Sequence, residues 1–148
     1  MDYMKEALKE AEKAKDLGEV PVGAVIVKDG EIIARGHNRR EKLNSVLAHA
    51  EIMAINEATK IINNWRLDGC SMYVTLEPCP MCAGAILQCR VSKVYIGTFD
   101  PVSGAGGSII NILENDNLNK WTDVKWCYDE KCSSILTDFF KERRKKDM

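Results

Sequence analysis

Apolar and polar positions recur along the chain with two different periods, and the switches between them divide it into elements. From Asp2 to Leu17, Met4, Ala7, Leu8, Ala11 and Ala14 return at helical spacing among lysines and glutamates. That spacing predicts an amphipathic helix, which Gly18 ends. Val20 to Val27 is then almost continuously apolar and predicts a buried strand. Lys28-Asp29-Gly30 supplies a tight turn, and Glu31 to His37 returns antiparallel. The polar stretch Asn38 to Leu47 predicts a loop. From His49 to about Ile62 a second helix is expected, with Ile52, Ala54, Ile55, Ala58 and Ile61 as its buried stripe, closed by Asn63-Asn64. Ser71 to Leu76 predicts a strand. Pro80 suits the first turn of the helix that follows, with Cys79 at the cap and Ala83, Ile86 and Leu87 packing it. Lys93 to Gly97 predicts a further strand, Phe99 to Gly107 a glycine-rich loop, and Ser108 to Leu113 a short helix. Thr122 to Tyr128 is expected as the last strand. A terminal helix from Glu130 to Arg144 follows, buried through Cys132, Ile135, Leu136, Phe139 and Phe140.

Strands that alternate with helices after an opening hairpin predict an α/β fold. Its form would be a three-layer α/β/α sandwich around a mixed five-stranded sheet. Sites in such folds sit at the carboxyl ends of strands. A length of 148 residues predicts a single domain over 1–148. The net charge of −1 does not announce a nucleic-acid partner, but the charge is uneven. Lys141-Glu142-Arg143-Arg144-Lys145-Lys146 is a basic run, and Arg39-Arg40 make a second positive site. A solvated helix end would account for the first equally well. The charged start, Met1 to Glu6, lacks a signal-peptide core, and no apolar run approaches the ~18 residues of a membrane span. Six cysteines are then expected as reduced thiols in a cytoplasmic protein. Cys70, Cys89, Cys127 and Cys132 have no ligand-like spacing and are expected as small buried hydrophobes.

Cys79 and Cys82 differ, because they stand three positions apart where a strand gives way to a helix. Free N–H groups at a helix start stabilise thiolates. His49 opens the preceding helix, two residues before Glu51. One imidazole and two thiolates make the three-ligand zinc site that keeps a fourth position for water. Zinc lowers the pKa of such a water from ~15.7 towards ~7. Glu51, beside the metal rather than on it, is the candidate proton shuttle. The pattern His-x-Glu…Pro-Cys-x-x-Cys is the known signature of zinc deaminases, in which hydrolysis releases ammonia from an amidine-like carbon.

The chain resembles the bacterial tRNA-specific adenosine deaminases (TadA type) of the cytidine deaminase-like superfamily. The resemblance rests on Glu19 to Val25, Ala48 to Ala54, Trp65-Arg66-Leu67, Tyr73 to Ala85, Asp100-Pro101, Gly104 to Ser108 and Asp138 to Arg144. It implies a cytidine deaminase-like fold and a homodimer with one zinc per subunit. It also implies conversion of adenosine to inosine at the wobble position of a tRNA anticodon stem-loop. Asn38 resembles the base-contacting asparagine, and Asp100 the residue that meets the nucleotide backbone or sugar. By their residue types alone both would be loop residues. Arg39, Arg40, Arg143 and Arg144 are candidate contacts to RNA phosphates. Glu77, beside the thiols, is expected to support the site rather than react. Asn119-Lys120-Trp121 and Lys42 to Leu47 depart from forms common in the family.

Three other readings use the same residues. The zinc chemistry serves a free base, nucleoside or nucleotide such as guanine, cytosine or cytidine equally well. A zinc-stabilised binding module needs a fourth protein ligand; His37 is the only other histidine, expected as a strand-end residue. Thiol–disulfide exchange through Cys79 and Cys82 is the third.

Overall fold

The computed structural model describes residues 1–147; Met148, the last residue of the expected domain, lies outside them. In chain order the elements are α1 (Tyr3–Asp16), β1 (Gly23–Lys28), β2 (Glu31–His37), α2 (Ala50–Ile62) and β3 (Ser71–Val74). Then come α3 (Pro80–Gln88), β4 (Lys93–Ile96), β5 (Asp123–Trp126) and α4 (Glu130–Lys146). The five strands form one sheet in the order β2-β1-β3-β4-β5. β1 runs antiparallel to both β2 and β3, while β3, β4 and β5 are parallel. The mixed five-stranded sheet between helical layers is the architecture the pattern predicts.

Successive strand residues point to opposite faces, and each face has its own core. Ala24, Ile26, Met72, Val74, Val94 and Ile96 pack against Ala50, Ala54 and Ala58 of α2 and Ala83, Ile86 and Leu87 of α3. On the other face Val25 and Val27 meet Met4 and Ala7 of α1 and Cys132 of α4. Tyr73 and Tyr95, neighbours in register, stack there with centroids 4.2 Å apart.

Topology places the functional end. Because β1 is antiparallel to its neighbours, the carboxyl ends of β2, β3, β4 and β5 lie on one edge, together with the start of β1. The loops leaving β2, β3 and β4 therefore emerge side by side. Gly36 brings α2 close to that edge: a Cβ there would stand 2.3 Å from the Ala50 carbonyl oxygen and 2.7 Å from the Ala54 nitrogen. The hairpin turn uses Asp29 and Gly30, both at positive φ, as its chemistry predicts.

Some expectations are corrected. Ser108 to Leu113 is not a helix. Its donors are used elsewhere: the Ser108 amide and hydroxyl bond Glu77, the Ile109 and Ile110 amides bond Gly104, and the Ile112 amide bonds Ala105. β1 begins at Gly23 rather than Val20, since Pro21 has no N–H and the Val22 amide turns back to Val20. β3 likewise ends at Val74, short of Leu76. Ile61 is exposed, and Ile62, four residues after Ala58, packs on the core instead. Phe140 is exposed while Phe139 is buried. Cys127, at the end of an edge strand, is exposed, whereas Cys70, Cys89 and Cys132 are buried as expected. Among the described residues no helix is long and apolar enough to cross a membrane.

Gly36→Ala forces backbone against backbone, and is expected to destabilise the fold by about 3 kcal/mol, the upper range for overpacking. Chemical denaturation measures it; a loss within error of zero means that α2 does not depend on this contact.

Candidate active site

Two helix starts meet at the edge where β2 and β3 end. His49 is the N-cap residue of α2 and Cys79 the N-cap residue of α3; both have extended backbone and neither side chain caps its own helix. Their side chains are therefore free to turn towards each other. Pro80 at the start of α3 fixes its first turn and sets Cys82 beside Cys79. The His49 Nδ1 stands 3.6 Å from the Cys79 Sγ and 3.4 Å from the Cys82 Sγ, and all three donor atoms lie within 4.8 Å of one another.

The donor set can be tested against a metal. Ordinary Zn–S and Zn–N bonds in a tetrahedron give a nitrogen–sulfur edge of about 3.5 Å. The observed separations match it, and Nδ1 is the imidazole nitrogen that faces the thiols. Charge agrees. The hydrogen bond from Cys82 holds the Cys79 thiol down at about 4, with a further contribution from His49 opposed by burial. The thiol that keeps the shared proton, Cys82, is pushed up. His49 is raised, first by its bond to Cys79. Such a pair gives up one proton readily and resists losing the second until a cation takes its place. No further histidine, cysteine or carboxylate joins the group among the described residues. His37 instead bonds Glu10 through Nδ1 at 3.1 Å.

Glu51, two residues into the expected His-x-Glu motif, is only 4% exposed. Burial raises its carboxyl to about 7; its own backbone amide opposes the rise, and the nearby Cys79 adds to it. A carboxyl balanced between its two forms near neutrality is suited to moving a proton. It lines a cavity of about 200 Å³ together with His49, Cys79, Asn38, Arg40 and Asp100.

The remaining predicted residues separate into those at the cavity and those away from it. Asn38 is at the wall, its Nδ2 donating to the Val20 carbonyl at 3.2 Å and its Oδ1 accepting the Arg40 amide at 3.1 Å. Asp100 is also at the wall, but its carboxylate accepts the Val102 and Ser103 amides and the Ser103 hydroxyl. It thus performs the loop role that its residue type suggests. Arg40 reaches the rim, and Arg39 does not: it is half-buried, with its amide on Ala48 and its Nε buried without a partner. Arg143 and Arg144 are exposed on the last turn of α4, Arg143 over the Phe139 ring at 5.0 Å.

Glu77 accounts for the glycine-rich loop. Its buried carboxylate accepts the amides of Asp100 at 2.9 Å, Gly106 at 2.8 Å and Ser108 at 3.1 Å, and the Ser108 hydroxyl. A Cβ at Gly104 would stand 2.3 Å from Glu77 Oε1, so the loop can wrap this carboxylate only with glycine there. Glu77 itself, Val20, Val22, Ala50, Leu76 and Ser103 complete the lining. Ser103 and the four apolar residues carried no chemical signal in the sequence beyond their place in or beside the segments that carry the family resemblance.

A family model described as MafB19-like deaminase matches residues 1–144. The tRNA-specific adenosine deaminase of Bacillus subtilis (strain 168) is 52% identical over 145 residues, 97% of this chain and 90% of that protein. The chain belongs to the tRNA-specific adenosine deaminase family. A solved structure from work on A-to-I editing by tRNA:A34 deaminases at the wobble position of transfer RNA superposes with a TM-score of 0.87. It is 42% identical and covers 90% of this chain and 98% of its own. The structure of guanine deaminase from Bacillus subtilis is also 42% identical, with a TM-score of 0.63, over 66% of this chain and 62% of that one. Family membership agrees with the resemblance carried by the segments between Glu19 and Arg144.

Cys79→Ala is expected to lower zinc from about one per chain to a small fraction, since a site without its second thiolate binds far less tightly. His37→Ala should leave zinc unchanged. Metal analysis after dialysis reads both, and full zinc in Cys79→Ala rules out the ligand assignment.

Proposed function

We propose that the protein hydrolyses adenosine to inosine at the wobble position of tRNA anticodons, as a single deaminase domain spanning 1–148. The observation that carries the reading is a buried glutamate beside three converging soft donors, in a cavity sized for one base. His49, Cys79 and Cys82 would hold a zinc ion, which would supply a water activated for attack at neutral pH. Glu51 takes one proton from the attacking water and gives it to the ring nitrogen, then takes the second from the hydroxyl added to the carbon and gives it to the amine, which leaves as ammonia as the carbonyl forms. Burial supports this cycle, because neither form of its carboxyl is strongly preferred near neutrality. Asn38, fixed by its bonds to Val20 and Arg40, orients the base at the wall.

The target carbon of a stacked base is out of reach of the cavity lining, so the target nucleotide must be splayed out of the anticodon loop. Arg40 at the rim, Arg39 behind it and the Arg143-Arg144 end of α4 supply positive charge for the phosphates around that nucleotide. The resemblance also favours a homodimer, and the exposed Leu47, Ile61, Trp65, Ile109, Ile110 and Trp121 offer apolar surface for a second copy. A cytoplasmic setting agrees with reduced thiols and with tRNA as substrate. A second reading, deamination of a free base, is favoured by the similarity to the guanine deaminase structure.

Incubation of the zinc-loaded protein with an anticodon stem-loop carrying a wobble adenosine is expected to yield inosine, with no turnover of guanine, cytidine or free adenosine. Turnover of a free base alone transfers the same chemistry to the second reading. Glu51→Ala should lower turnover by ~10³-fold or more while zinc and melting behaviour stay as in the parent. Arg143→Ala with Arg144→Ala is expected to weaken stem-loop binding and lower the slope of log K against log salt by ~1 to 2. An unchanged slope removes both from the phosphate contacts.

A further inference from the structure

Glu19 is a buried carboxylate that the chemistry above does not use. It is 2% exposed and lies between α1 and β1, its amide bonded to the Ala14 carbonyl at 3.0 Å. Its two oxygens accept different backbone amides from across the site edge, Glu41 at 3.1 Å and Lys42 at 2.8 Å. Those amides open a single helical turn, in which the Leu43 amide bonds Arg39 at 2.9 Å and the Ser45 amide bonds Arg40 at 3.0 Å. The first N–H groups of such a turn have no partner within it. A carboxylate placed there satisfies two of them at once, with the added strength of a charged acceptor.

The turn so capped carries part of the cavity wall. Arg40 begins it, and Asn38 precedes it by two residues. The Asn38 amide and side chain are bonded to Val22 at 3.1 Å and Val20 at 3.2 Å. Glu19, Val20 and Val22 therefore hold Asn38, Glu41 and Lys42 through four hydrogen bonds, and Val20, Val22, Asn38 and Arg40 all face the cavity. His49 and Cys79 cap α2 and α3, with Glu51 and Cys82 in the helices behind them, and the turn meets this set at Ala48, whose carbonyl accepts the Arg39 amide and whose amide bonds the Ser45 carbonyl.

We propose that Glu19 is a positioning residue for the substrate: by capping the turn at Glu41 and Lys42 it fixes Asn38 and Arg40 against the bound nucleotide. The proposal rests on the reading of the cavity as an adenosine deaminase site. It separates two sets of residues, one that generates the nucleophile and one that orients the base, with Glu19 acting through the second. A misplacement of about 1 Å in an orienting group costs ~100-fold in rate.

Glu19→Ala and Glu19→Gln are measured in the zinc-loaded full chain. In the parent background, Glu19→Ala is expected to lower kcat/KM on the stem-loop by ~100-fold and Glu19→Gln, which retains one acceptor, by ~10-fold. Zinc content is unchanged in both. In a background of Asn38→Ala with Arg40→Ala, Glu19→Ala should cost less than about twofold, because the groups it positions are gone. An equal loss in the two backgrounds, or a loss that follows zinc content, overturns the proposal. Amide exchange at Glu41 and Lys42 reads the clamp without turnover: at least ~10-fold faster exchange in Glu19→Ala is expected, and unchanged exchange overturns it. If the parent makes no inosine while that exchange accelerates, the substrate reading has failed and the clamp stands. The two-background comparison then moves to the base that is turned over and judges the positioning role there.

Discussion

An imidazole and two thiols from distant parts of the chain reach one point because two helices begin side by side, each with a ligand at its cap position. A cap residue has extended backbone, so its side chain is not confined to the helix surface and can cross to the neighbouring element. His49 and Cys79 use that freedom towards each other, and Cys82 follows one turn behind. The sheet makes the arrangement possible. An antiparallel β1 between β2 and β3 leaves both neighbours pointing the same way, so that α2 and α3 start from one edge. The close approach at Gly36 then sets the height of α2 above the sheet.

Glu19, Glu51 and Glu77 are buried at or beside the cavity wall, and their surroundings separate their tasks. The carboxylate of Glu77 meets three amides and a hydroxyl, and that of Glu19 meets two amides. Their lone pairs are directed at loops, which those bonds hold in place. Glu51 is buried with no such set of donors from neighbouring loops, and its proton affinity rises accordingly. The same side chain thus serves as a loop anchor where donors surround it, and suits the proposed proton carrier where they are missing. The cavity walls depend on the first use and its chemistry on the second.

Much of this was present in the order of residues. Periodicity located four helices and five strands, since apolar spacing follows the local geometry of each element. The His-x-Glu and Pro-Cys-x-x-Cys segments disclosed the converging donors and the buried glutamate beside them because their spacing is short and local to helix starts. The misplaced details share one cause. Ser108 to Leu113 has apolar residues at helical spacing, yet Glu77, Gly104 and Ala105 take its hydrogen bonds, and none of these bonds has the four-residue span of a helix. Ile61 and Phe140 are apolar in type but fall outside the stripe that packing selects.

What sequence alone determined was therefore the chemistry of the donors and the class of the fold, because both arise from neighbours in the chain. Tertiary structure decided how the walls are held. Glu19 meets residues 22 and 23 positions away, and Glu77 meets residues up to 31 positions away. Asp100 turned its carboxylate to its own loop, while Asn38 was fixed between Val20 and Arg40. A carboxylate carries no mark of which backbone amides will surround it. That depends on loops brought together only when the strands pair, and the division between anchoring and reacting glutamates is settled there.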